Sequence, residues 1–243
     1  MRIVAIIQAR MGSTRLPGKV MKDLEGETVL ARVVSRVRRA REVGEVVIAT
    51  THQTEDDVIV DECRRLAVRV FRGEAHDVLD RYYHAARQER AEAIVRITSD
   101  CPLIEPAITD ATVTAFLERR PDYASNVLRR TYPRGLDTEI MTWEALDRSW
   151  RQAKQPYQRE HVTPYIYENP DQFTLYSVEG KTDYSGHRWT VDEPEDLAFL
   201  RAVYERMADD ECFSWQDVLA LLEREPGLVD LNRHVSQKAL REA

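Results

Sequence analysis

The residues best suited to chemistry come early in the chain. Gln8-Ala9-Arg10-Met11-Gly12-Ser13-Thr14-Arg15-Leu16-Pro17-Gly18-Lys19 joins small residues and hydroxyls to three cations in one short stretch. Backbone amides around Gly12 and Ser13 let phosphate oxygens approach closely, and Arg10, Arg15 and Lys19 supply the opposing charge, a combination suited to a polyphosphate. An ordinary basic surface turn is the plain alternative. Two familiar nucleotide motifs do not apply. Gly12 and Gly18 are six positions apart, where a Walker A loop spaces its glycines by about five, and Val20 follows Lys19 where that loop needs Ser or Thr. The dinucleotide fingerprint GxGxxG is absent as well.

Two carboxylates stand out further along. Asp100, in Arg96-Ile97-Thr98-Ser99-Asp100-Cys101-Pro102-Leu103-Ile104, follows an apolar run and can hold a hard cation such as magnesium, which keeps waters and substrate phosphates as its other ligands. It can equally cap the helix that follows. Asp192, in Trp189-Thr190-Val191-Asp192-Glu193-Pro194-Glu195-Asp196-Leu197, reads by itself as a helix start, because carboxylates favour that end of the dipole and Pro suits the first turn. The six histidines show no HExxH spacing and no Cys/His cluster, and His161 beside Tyr165 reads by itself as a structural hydrogen-bond partner. Cys63, Cys101 and Cys212 form no CxxC pair. They point to reduced thiols in a cytosolic setting rather than to a zinc site or a disulfide framework.

The elements that must position these residues follow from periodicity. Ile3 to Ile7 is an apolar run too short for a signal peptide or a membrane span, and it predicts a buried strand over Arg2 to Ala9. Val29, Leu30, Val33, Val34 and Val37 recur at helical spacing, with Arg32, Arg36, Arg38 and Arg39 expected on a solvated face. Strands are predicted at Val46 to Thr50, Val68 to Phe71 and Ile94 to Thr98, alternating with helices at Asp56 to Leu66 and Val78 to Arg90. A helix runs from Pro106 through Phe116 and Leu117. The segment from Tyr123 to Tyr184 mixes short strands with two helices. A strand at Trp189 to Val191 precedes helices at Pro194 to Met207 and Ser214 to Glu223. Tyr82, Tyr83 and the aromatics from Trp143 to Trp150 sit on helical stripes, as core residues do.

This alternation predicts one α/β domain over residues 1–243, Rossmann-like, with a mostly parallel sheet, helices on both faces and a β/α elaboration around 123–184. The basic loop, Asp100 and Asp192 then all fall at the C-terminal ends of strands, where open α/β sheets bind ligands. With 43% hydrophobic and 32% charged residues and only 9 Gly and 10 Pro, the chain is composed like a globular protein and unlike a disordered one. The 35 Lys and Arg against 42 Asp and Glu give −7, which excludes the electrostatic footprint of a general nucleic-acid binder.

The stretch from Ile6 through Lys19 resembles the opening motif of the cytidylyltransferases that activate sugars, including the 3-deoxy-manno-octulosonate and acylneuraminate enzymes. Gln8 stands where the sugar-acid enzymes usually carry Pro, which brings the chain nearer to the branch of spore-coat polysaccharide biosynthesis. The resemblance implies a sheet of the nucleotide-diphosphosugar transferase type, with the triphosphate of CTP against Arg10, Gly12, Ser13, Arg15 and Lys19. It makes Asp100 and Asp192 ligands of Mg2+. Thr50, Asp77 and Arg81, with Gly73, then border the base and ribose or the acceptor. The stretches Arg134 to Glu139 and Arg159 to Tyr165 match the spore-coat branch, so Arg134, Asp137, Glu139, Glu160, His161 and Tyr165 are assigned to the acceptor pocket or a subunit contact. Cys101 and Thr51 depart from the sugar-acid enzymes, which carry acidic residues at these places.

The activity so implied is magnesium-dependent transfer of CMP from CTP to a sugar-like hydroxyl with release of pyrophosphate. The expected protein is a cytoplasmic homodimer with small-molecule substrates and neither nucleic-acid nor membrane partners. A glycosyltransferase using a nucleotide-sugar donor is the main alternative, but such a donor has fewer phosphates to hold than the three cations of the first loop suggest. A noncatalytic nucleotide-binding protein is the other, and it would be expected to lack Lys19, Asp100 or Asp192. Arg129, Arg130 and Arg134 are placed to pair with a carboxylate on a keto-sugar acid or to lie on a solvated face.

Overall fold

Strand β1 (Ile3–Gln8) lies inside a sheet because its run Ile-Val-Ala-Ile-Ile leaves no polar side chain for water on either face. The computed structural model describes residues 1–210 and 212–237. Two short strands, β2 (Asp23–Leu24) and β3 (Glu27–Thr28), form a separate hairpin. The remaining strands are β4 (Glu45–Thr51), β5 (Arg69–Gly73), β6 (Ala93–Thr98), β7 (Tyr123–Ser125), β8 (Glu139–Thr142) and β9 (Leu175–Ser177). With β1 they make one seven-stranded sheet in the order β5-β4-β1-β6-β8-β7-β9. Within this sheet, among the described residues, β8 alone runs against the direction of the other strands.

The register sets Gln8 opposite Ala49 on one side and Thr98 on the other. The loops that leave β1, β4 and β6 therefore share one edge. The chain crosses from β1 to β4 on one side and returns to β6 on the other, and this reversal opens a crevice at the carboxyl ends of β1 and β6.

The helices are α1 (Val29–Val37), α2 (Asp57–Arg65), α3 (Val78–Gln88), α4 (Pro106–Arg119), α5 (Trp143–Gln152), α6 (Pro156–His161), α7 (Pro164–Tyr167), α8 (Pro194–Arg206) and α9 (Trp215–Arg224). Alternation along the strands sends Ala5, Ile7 and Ile97 to one face, where α1, α2 and α4 cover them through Val33, Ile59 and Phe116. Val4, Ile6 and Ile94 go to the other, under Leu79 and Tyr82 of α3 and Leu146 of α5. Each buried Val, Leu, Ile or Phe among them contributes about 1.5–3 kcal/mol. A third cluster packs Leu16, Trp189 and Val191 against α8 and α9. Among the described residues no helix is long and apolar enough to cross a membrane.

Three expectations need correction, the first being that the segment from Tyr123 to Tyr184 holds three helices, α5, α6 and α7, rather than two. Arg36 does not lie on a solvated face: it is buried, and its guanidinium donates to the carbonyls of Ile104 (2.8 Å) and Phe213 (3.0 Å) and pairs with Glu105. A helical stripe tells which residues are apolar, not whether a later segment will cover the opposite face. Trp189 to Val191 is not a ladder strand. It is held by single contacts: Arg188 bridges to Arg134, the Trp189 amide donates to the Arg134 carbonyl (2.8 Å), and the Val191 amide donates to the Asp100 carbonyl (2.8 Å). Its hydrogen bonds go to two loops rather than to one neighbouring strand.

Candidate active site

The Val191 to Asp100 hydrogen bond seats Asp192 beside Asp100, across a large gap in sequence. Between them stands Lys19. Its ammonium donates to Asp100 Oδ2 at 2.7 Å and to Asp192 Oδ1 at 2.8 Å. The three side chains are only 14%, 22% and 12% exposed, in the order Lys19, Asp100, Asp192.

Lys19 is aimed by its own loop. The Met11 carbonyl accepts from Ser13 N (2.8 Å) and Gly18 N (3.0 Å), closing the loop on itself. Gly18 adopts φ +66, a left-handed conformation that suits glycine, and so turns the chain into a short 3-10 helix, Lys19–Met21. Leu16 and Val20 are buried, so Lys19 projects from a turn anchored on both sides. The loop is also tied to β4. Buried Asp56 accepts from Met11 N (2.7 Å), from Thr51 N (3.2 Å) and from the Thr51 hydroxyl.

Burial opposes the charge on both partners of the Lys19 and Asp100 pair, and their mutual attraction outweighs it. The Lys19 pKa is raised by Asp100 and Asp192, and the Asp100 pKa is lowered by Lys19. A raised ammonium and a depressed carboxylate are both charged throughout the neutral range. Arg15 adds a second cation, 3.1 Å from Asp192 Oδ1 and 3.2 Å from Glu193 Oε1. Arg10 is more exposed and lies 3.5 Å from Glu160. The cations assigned to phosphate are thus paired with carboxylates, and two of them with the carboxylates assigned to metal.

Asp192 does not cap the next helix. Glu193 is the N-cap of α8, and Asp196 completes the capping box. Nor does Asp100 cap α4, whose N-cap is Glu105. Both aspartates are left to the crevice. Among the described residues no three His, Cys, Asp or Glu side chains gather into a metal cage. Two carboxylates around a cation suit a metal that takes its other ligands from phosphate and water.

A cavity of about 380 Å³ opens next to this cluster, with Thr98, Arg134, Asp137, Glu139 and His161 in its wall. Gly135 at φ +107 allows the close approach, since a Cβ there would meet the Trp189 carbonyl oxygen at 2.6 Å. Arg130 makes two bonds to Asp137 (2.5 and 2.8 Å). Glu139 is engaged by three donors, accepting from Arg96, Tyr123 and Thr163. Arg134 differs: among the described residues no carboxylate lies within ion-pair distance of its guanidinium. Burial first, and then Arg130, lowers its pKa below the usual guanidinium value, although an arginine stays charged.

The other assigned residues sit elsewhere. Glu160 is beside Arg10, and the Tyr165 hydroxyl donates to Gln152 (2.6 Å), outside the cavity wall. Asp77 caps α3 through the Asp80 amide and holds Arg159 at 2.6 Å. Arg81 is buried and braces the carbonyls of Glu74 (2.7 Å) and Ala75 (3.3 Å). Thr50 is buried at the end of β4. Arg129 is exposed, 3.5 Å from Glu179. Asp56, Arg188 and Asp196 were not singled out from sequence. A cue existed for Asp196, a carboxylate at the third position of a helix already opened by Glu193-Pro194.

The model of a family described as cytidylyltransferase matches residues 4–214. The spore coat polysaccharide biosynthesis protein SpsF of Bacillus subtilis is 33% identical over 231 residues, covering 92% of this chain and 95% of its own. A 3-deoxy-manno-octulosonate cytidylyltransferase of Geobacter sulfurreducens is 41% identical over 120 residues, 49% of this chain and 46% of that enzyme. The structure of a cytidylyltransferase from Leptospira borgpetersenii superimposes with a TM-score of 0.91 at 34% identity, over 98% of this chain and 100% of that one. Because the match runs from within β1 to Ser214 and so takes in the basic loop, Asp100 and Asp192 together, the chain belongs to the cytidylyltransferase family of nucleotidyltransferases.

Proposed function

We propose that this enzyme transfers CMP from CTP to a hydroxyl of an anionic, sugar-like acceptor, with magnesium and with release of pyrophosphate. The observation that carries this reading is the Lys19 ammonium shared by Asp100 and Asp192 beside a cavity lined by Arg134, which has no carboxylate partner among the described residues. Lys19 stands in for a cation between two hard oxygen donors, so the pair fits Mg2+. When bound there, the metal neutralises charge on the phosphates. Lys19, Arg15 and Arg10 would then be free to exchange their carboxylate partners for phosphate oxygens. The acceptor hydroxyl oxygen attacks the α-phosphorus and gives up its proton to solvent as the bond to the bridging oxygen of pyrophosphate breaks. Lys19 offsets the charge that develops on the leaving group. Homodimeric assembly and a cytoplasmic setting belong to this reading through the family resemblance.

The test is pyrophosphate release from each of the four nucleoside triphosphates with magnesium, against a panel of sugars, keto-sugar acids and phosphonates. CTP with an anionic acceptor is the expected productive pair. A clear preference for a purine nucleotide overturns the reading.

Arg134 makes the acceptor class testable. A charge-assisted hydrogen bond contributes about 1.5–3 kcal/mol, so Arg134→Met lowers kcat/KM about 10- to 100-fold for acceptors bearing a carboxylate or phosphonate. Neutral sugars in the same panel stay unaffected. Equal losses for charged and neutral acceptors remove Arg134 from acceptor recognition.

A further inference from the structure

We propose that Arg188 is the positioning residue that aims Asp192 at the metal, an inference that rests on Asp192 being a metal ligand. One arm of its guanidinium donates to Asp192 Oδ2 at 2.8 Å, and the same group grips Asp196 through Nε (2.9 Å to Oδ1) and Nη2 (2.9 Å to Oδ2). With Oδ2 held by Arg188, the Asp192 carboxylate cannot rotate freely. Its Oδ1 is left facing Lys19 and Arg15, on the side of Asp100.

The anchor behind Arg188 is rigid. Asp196 is fully buried, and its Oδ2 accepts the amides of Asp192 and Glu193, each at 3.0 Å. Asn232 donates to Asp196 Oδ1 and to the Arg188 carbonyl, both at 3.0 Å. Gln237 takes the remaining arm at 2.6 Å. Arg188, Asp192 and Asp196 are spaced by four residues each, so the motif carries its own brace.

Asp192 therefore has two kinds of counter-ion. Lys19 and Arg15 come from the phosphate loop and are exchangeable, whereas Arg188 is fixed to the element that bears Asp192. When the loop cations turn to phosphate, Arg188 keeps one oxygen engaged and the other aimed. A planar guanidinium can bridge two carboxylates at once, and a lysine ammonium at the same place cannot reproduce that fork.

Arg188→Lys is the direct test, read by manganese binding in electron paramagnetic resonance titrations with the α,β-methylene analogue of CTP and no acceptor. Outer-shell partners of metal ligands typically account for 10- to 100-fold in affinity. The Mn2+ concentration at half-saturation should rise by about that factor, with nucleotide affinity in chelator within twofold of wild type. Asp192→Asn should lose at least as much, and the double variant no more than Asp192→Asn alone, because Arg188 acts through Asp192. If Arg188→Lys lowers the thermal midpoint but leaves Mn2+ affinity unchanged while Asp192→Asn abolishes it, Arg188 is only a staple of α8 and the proposal is wrong. If Asp192→Asn leaves Mn2+ affinity unchanged, the metal-ligand reading fails and takes the proposal with it. Should Arg188→Lys not fold, Asp196→Asn replaces it. That change keeps an oxygen for the two amides but puts a donor where Arg188 Nε needs an acceptor, and a weaker shift in the same direction is expected.

Discussion

Lys19→Ala is expected to lower turnover by about 100-fold or more while the protein stays folded. An electrostatic donor aimed at charge that develops in the transition state typically accounts for a factor of that size. Lys19 is built for such a role, since its loop closes on the Met11 carbonyl and its turn is anchored by Val20. Folding should survive because Asp192 retains Arg15 and Arg188 when the ammonium is gone. Asp100 loses its main counter-charge, so its depressed pKa should move back up. The variant should also bind divalent cations without nucleotide more readily than wild type, since the ammonium no longer competes for the space between the carboxylates and only Arg15 still holds Asp192 Oδ1. Pyrophosphate release and thermal midpoints measured together decide the matter. Turnover near wild type in a folded Lys19→Ala variant would falsify the triphosphate assignment.

Asp100→Asn and Asp192→Asn should each lower activity by a comparable factor and shift the magnesium response to higher concentration. Each substitution keeps the shape of the side chain and removes the charge that favours a divalent cation. Two groups that share one metal act as a unit, so the double variant should lose little beyond the worse single. Were Asp192 only a helix cap, asparagine would serve about as well. The capping box is instead made by Glu193 and Asp196, which leaves Asp192 no capping bond to lose. Activity against magnesium concentration for both singles is the measurement. A normal magnesium response in Asp192→Asn removes that residue from the metal site and leaves Asp100 as its sole protein ligand.

Much of the site was legible because it is built from local rules. The apolar run of β1 had to be buried, so the Arg10 to Lys19 stretch had to lie at the end of a sheet strand. The Val and Ile run before Asp100 and the Pro-opened helix after Asp192 set both carboxylates at element ends in the same way. Strand and helix period, cap residues and turn residues are properties of neighbours in sequence, and the parallel order that brings such ends to one edge follows from βαβ connection.

What the sequence by itself determined is therefore the family resemblance, the mostly parallel sheet and the chemical types of residue at its carboxyl edge. Tertiary structure alone decided their pairing. Lys19 meets Asp100 and Asp192 because the Val191 amide docks on the Asp100 carbonyl and Leu16, Leu103, Trp189 and Val191 pack together, and no local pattern encodes those contacts. Arg36 is buried because the segment entering α9 covers it, far away in the chain. Val162, at φ +72, breaks α6 from α7, so that His161 lines the cavity while Tyr165 turns to Gln152. Long-range packing selects among side-chain partners that local propensity leaves equal, and in this enzyme it selected which cation and which carboxylate share a charge.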